Sequence, residues 1–86
     1  MALRYVVQDT YQIPGRGPMV SGVLMEGDVR TGDTLMVAES KAPVRVLSVD
    51  VHTRQTDEGL LVGLRLHPED ASAVTAGSTL VSPPEA

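Results

Sequence analysis

No apolar run in this chain is long enough, or repeats with the right period, to build a helix of any size. Clusters of turn-forming residues cut each run short: IPGRGP at 13–18, EGDVRTGD at 26–33, ESKAP at 39–43, TDEG at 56–59 and HPED at 67–70. Glycine and proline supply positive or fixed φ angles, and aspartate bonds its own backbone, so such clusters reverse the chain. What lies between them reads as short strands: Leu3–Thr10, Pro18–Glu26, Thr34–Ala38, Pro43–Thr53, Leu60–His67 and Thr79–Ser82.

The runs carry further detail. In 43–53, Val44 and Val46 share one parity while Leu47, Val49 and Val51 share the other, which predicts a β-bulge or a strand covered on both faces. Leu60, Val62, Leu64 and Leu66 alternate cleanly with Leu61, Gly63, Arg65 and His67. HPEDASAV has room for one helical turn with Pro68 near its start. Six short strands, with Gly22 and Gly63 inside two of them, predict an all-β fold: a small closed barrel, since closure removes edge strands and glycines suit tight corners. With no Phe, no Trp and only two Tyr in 86 residues, the interior falls to Val, Leu, Met and Ala. Residues 1–82 are expected to form this single domain and 83–86 a flexible tail.

The net charge of −4 removes a general positive field, so non-specific nucleic-acid binding is not expected. With no cysteine there are neither disulfides nor thiolate metal sites. No stretch approaches a membrane span or a secretory signal, and a soluble cytoplasmic protein is expected.

The glycines of YQIPGRGPMVSG (11–22) invite a phosphate-binding reading, which the residues do not support. Gly15 and Gly17 begin a dinucleotide fingerprint, but Val20 holds its third position and a strand follows. Gly17 and Gly22 have P-loop spacing, but Val23 and Leu24 stand where lysine and a hydroxyl are needed. GDVRTGDT (27–34) comes closer, yet Asp33 occupies the lysine position, where a carboxylate repels phosphate. His52 and His67 lie on separate strands. Asp57 and Glu58 are adjacent and point apart in an extended chain. Ser21 has no nucleophile elbow. Catalysis, metal, cofactor and nucleotide binding are therefore not expected. Arg16, held between two glycines, is a rigidly presented fork for phosphate or carboxylate, or else a solvated turn residue.

The segment QDTYQIPGRGPMVSGVLMEGDVRTGDTLMV resembles the second domain of elongation factor Tu and other translational GTPases. Tyr11, Ile13, Gly15, Arg16, Gly17, Val20, Gly22, Gly27, Gly32, Asp33 and Leu35 fall into that domain's pattern, and DEG, VGLRL and PEDASAVTAGSTLVSP echo its closing half. The resemblance implies a six-stranded Greek-key barrel. It also implies a contact loop that in the parent factors meets the small ribosomal subunit and the aminoacylated end of tRNA. Carried over by position, Ile13, Gly15 and Glu58 would contribute to that pocket, with Met19 in place of the usual valine; Arg16 and Gly17 complete the loop.

The chain holds no GTPase domain, and it begins with its own Met and ends in a short tail, so an autonomous domain is expected. Gly59 is followed almost at once by VG, which shortens the loop near Glu58. Strand two is apolar on both faces. These features favour a binding module for a protein partner or for self-association. The alternative is a module for the tRNA acceptor end or the ribosome. In either case the expected site is Ile13, Gly15, Arg16, Gly17, Met19 and Glu58.

Overall fold

The computed structural model describes residues 3–83, apart from Arg16, Glu58 and the side chains of residues 51–54. Six strands form within it: β1 (Arg4–Ile13), β2 (Gly17–Glu26), β3 (Thr34–Val37), β4 (Pro43–Gln55), β5 (Leu60–Leu66) and β6 (Thr79–Val81). All pairings are antiparallel, and the sheet closes in the order β1-β2-β5-β4-β3-β6. Strands β3, β4 and β5 follow one another by hairpins while β2 returns beside β5, which is Greek-key connectivity. The all-β barrel expected from the turn pattern is the observed fold.

Alternation fills the interior. Tyr5, Val7, Val20, Leu24, Leu35, Val44, Val46, Val62, Leu64, Leu66 and Leu80 form one continuous core. Tyr5 is fully buried, and its hydroxyl donates to the Val62 carbonyl at 2.6 Å. Gly22, directly across from Val7, leaves the room this ring needs: a β-carbon there would meet the Val6 carbonyl and the edge of the Tyr5 ring. Val29, in the connection between β2 and β3, closes one end of the barrel.

The parity slip in β4 is a break in pairing. The ladder with β5 shifts register between Val46 and Ser48, and Leu47 is left 39% exposed. On β2, Val20 and Leu24 face the core, yet Met19 and Val23 on the opposite face are buried as well. Met19 lies between its cross-strand partners Tyr11 and Arg65; Val23 lies between Val6 and Leu61, with the Gly59 turn packed on it. The second apolar face of strand two is therefore largely covered by the chain itself, with Met25 its exposed exception at 44%.

Most strand ends fall within two residues of the sequence expectation, and two places differ more. β1 runs to Ile13, three residues past Thr10, because Asp9–Ile13 pairs with Gly17–Ser21 in a hairpin extending beyond β6. The short helical turn is a 3₁₀ turn at Ala71–Ala73, later than Pro68 suggested. Residues 67–70 instead make a turn of their own, with the Asp70 amide bonded to the His67 carbonyl at 2.9 Å.

Candidate binding site

Ile13 and Gly17 close the β1–β2 hairpin as a pair, with Pro14 and Gly15 following Ile13 into the turn. Gly15 and Gly17 have φ of 80° and 90°, the left-handed region that an L side chain enters at a cost, so glycine at these two positions lets a three-residue connection reverse the chain. Met19 follows two residues later, on the outer face beside Tyr11. The structure thus brings Ile13, Gly15, Gly17 and Met19 to one end of β2. Arg16 and Glu58 lie outside the described residues. Asp57 and Gly59, which flank Glu58, belong to the turn between β4 and β5, at the opposite end of β2, where Leu24 pairs with Leu60. Five residues of strand at ~3.3 Å each separate Met19 from Leu24, roughly 17 Å.

The hairpin's true neighbour is the connection between β5 and β6. Between them lies a cleft of about 380 Å³, lined by Thr10, Tyr11, Gln12, Pro18 and Met19 on the hairpin side. Pro68, Ala71, Ser72 and Val74 line the other side, and Val20 and Leu66 form its floor. None of the lining residues is charged at neutral pH. Tyr11 stands 41% exposed at its rim. Sequence reasoning missed the wall at 68–74, because nothing local marks a connection more than fifty residues away as the hairpin's neighbour. The available signal was Tyr11, one of only two aromatic residues, at the end of a polar strand.

One cluster pins that wall to β4. The Asp70 carboxylate accepts the Arg45 backbone amide (2.8 Å) and the Arg45 Nε (2.9 Å), and Arg45 Nη2 reaches Glu69 at 3.2 Å. His67 Nδ1 accepts the Glu69 amide at 3.1 Å. The bonds from Arg45 hold the Asp70 carboxyl below the usual carboxylate range. A depressed carboxyl contributes stability that is complete above the unfolded value, near pH 4, and lost as pH falls through the folded value. Thermal unfolding is therefore expected to be flat from pH 7 to about 5 and to weaken below about 4. The Asp70→Asn protein is expected to start lower and to lose less of its stability over that acid range.

The near-P-loop segment is an ordinary turn. Asp33 accepts the Arg30 amide at 2.9 Å, so a carboxylate of the chain itself fills the place where a phosphate would sit. β3 rather than a helix follows at Thr34. Among the described residues no group of three or more side chains is placed to hold a metal ion.

No family model matches the chain. Among solved structures, bacterial selenocysteine-specific elongation factor EF-Sec contains a region similar to 94% of this chain, with a TM-score of 0.74 and 27% sequence identity. The closed barrel of this chain is thus similar to a translation-factor barrel domain, consistent with the elongation factor Tu domain 2-like kind. It spans 14% of the EF-Sec chain. What the domain 2-like barrel shares with that factor is the overall fold over most of its length. Its hairpin end has to be read from its own residues.

Proposed function

We propose that this domain 2-like barrel is a non-catalytic protein-binding module, working through the cleft between the β1–β2 hairpin and residues 68–74. The supporting observation is the character of the cleft: uncharged, lined by apolar and neutral polar side chains together, and rimmed by an exposed tyrosine. Protein interfaces centre on such anchors, with Tyr enriched and charge depleted. A nucleic-acid surface needs a basic field, and neither the uncharged lining of this cleft nor a net charge of −4 supplies one. Self-association through the same surface is another form of this reading. Light scattering over a dilution series separates the two, since a copy of the chain as partner gives a concentration-dependent mass.

Recognition of an RNA end is the second reading, favoured by one observation. Tyr11 offers an exposed ring on which a base can stack, in a barrel similar to part of a translation factor. The two readings part in one comparison. Labelled aminoacyl-tRNA and its deacylated form, titrated at low salt, are expected to show no saturable binding. Peptides selected from a display library on the immobilised barrel are expected to bind and to lose roughly 10–100-fold affinity to Tyr11→Ala. Because Tyr11 is exposed, that variant should unfold within a few degrees of the parent. Saturable tRNA binding lost in Tyr11→Ala would establish the RNA reading instead.

A further inference from the structure

Strand β1 has a neighbour on each side only for part of its length. Arg4, Tyr5 and Val6 pair with β6, and Val7 exchanges bonds with Ser78 and Gly77 at 2.8 Å each. Beyond Val7 the two segments part, and the cleft opens between Thr10–Gln12 on one side and Ala71, Ser72 and Val74 on the other. From Asp9 to Ile13, β1 is paired with β2 alone.

Proline fixes which way the backbone of that free edge points. Gln12 sits opposite Pro18, which has no N–H to give. The pair therefore occupies a non-hydrogen-bonded position of the β1–β2 ladder, and the N–H and C=O of Gln12 point away from β2. With period two, the same groups of Thr10 point the same way. The Thr10 amide agrees: it bonds the Asp9 carboxylate at 3.0 Å rather than a strand carbonyl. Among the described residues, no backbone group across the cleft bonds Thr10 or Gln12. A charged residue capping its own strand edge is one way proteins blunt an edge that would otherwise pair.

We propose that the β1 edge at Thr10–Gln12 receives an extended peptide as an added strand, carrying a basic side chain that meets Asp9. This rests on the protein-binding reading above and states how the partner is held. Donors and acceptors alternating along an edge match another polypeptide backbone, and side chains of one parity then drop into the uncharged cleft. A nucleic-acid strand would bring phosphates against Asp9 and the Thr10 and Gln12 carbonyls. A second copy of this chain would bring another Asp9 and another net −4. The incoming carbonyl takes over the Thr10 amide, and the displaced Asp9 carboxylate pairs with the peptide's cation.

The test uses decapeptides selected by display on the full chain, with each backbone position N-methylated in turn. Alternate positions are expected to lose at least 10-fold in affinity and the intervening ones to bind normally, because only one parity donates to β1. Amide hydrogen exchange at Thr10 and Gln12 is expected to slow at least 10-fold in the complex, and Asp9→Asn to weaken peptides bearing Lys or Arg by several fold. Gln12→Pro removes the edge donor without touching the β1–β2 ladder and is expected to abolish binding; should it fail to fold, the N-methyl scan still decides. Peptides that need Tyr11 but show no parity and no amide protection would overturn strand addition and leave the protein-binding reading standing. Protection of the same amides by self-association would overturn the choice of partner. Absence of any peptide binding below about 1 mM would overturn both.

Discussion

Tyr5→Ala is expected to cost the chain about 3–5 kcal/mol of folding stability, the largest loss of any single truncation in the barrel. Tyr5 is the largest side chain of the barrel interior and fully buried. Removing such a ring costs about 3–5 kcal/mol through lost burial and the cavity left behind. A domain of this size commonly has roughly 4–13 kcal/mol to lose. Tyr5→Phe separates the hydroxyl from the ring. It removes the 2.6 Å bond to the Val62 carbonyl and is expected to cost about 1 kcal/mol, or roughly 4–8 °C in Tm.

The same hydroxyl predicts an alkaline limit. Burial, and to a smaller degree the Tyr11 charge, push its ionisation far above the usual tyrosine range. A phenol held neutral in the folded state contributes stability below its unfolded value, and that contribution falls away above pH ~10. Parent stability is expected to decline there, and Tyr5→Phe to decline less. Urea unfolding followed by circular dichroism at pH 7 to 11 measures both effects. Folded Tyr5→Ala with parent-like stability would contradict the placement of this ring at the barrel's centre.

Gly22→Val is expected to be nearly as damaging. A β-carbon at Gly22 meets backbone on one side, the Val6 carbonyl, and the Tyr5 ring on the other, so neither neighbour yields cheaply. Forcing atoms into a packed core costs about 1–3 kcal/mol and more when backbone must move, and valine adds two methyls beyond the β-carbon. A loss of about 3 kcal/mol or more is expected, against less than ~0.5 for the neighbouring, outward-facing Ser21→Ala. Equal stabilities for the two variants in urea titrations would contradict the close approach of β1 and β2 at this point.

The barrel was legible because its evidence is local. Turn clusters mark the strand ends, Leu60–Leu66 alternates without a break, and the slip from Val46 to Leu47 marks the place where β4 leaves its register with β5. Where the sequence misled, the reason is the same in each case: position in space. Gln8–Gln12 carries no buried side chain, because that end of β1 projects past β6, so the strand was read as ending at Thr10 and Tyr11–Ile13 as loop. Pro68 looked like a helix start, but residues 67–70 are held in a turn by Arg45, a residue more than twenty positions earlier. The loop residues Ile13, Gly15, Gly17 and Met19 do gather at one end. The DEG turn near Glu58 also lies beside β2, yet at its other end, and no local pattern tells the two ends apart.

The uncharged hairpin cleft is proposed as a surface for polypeptide. Amide chemical shifts of the ¹⁵N-labelled chain, recorded during titration with a display-selected peptide and separately with aminoacyl-tRNA, test it most directly. Saturable shifts are expected at Tyr11, Gln12, Ala71 and Ser72 with the peptide, with little change at Asp57 and Gly59 at the far end of β2 and no saturation with tRNA. Saturable shifts at the cleft with tRNA, or peptide-induced shifts confined to the far end, would contradict it.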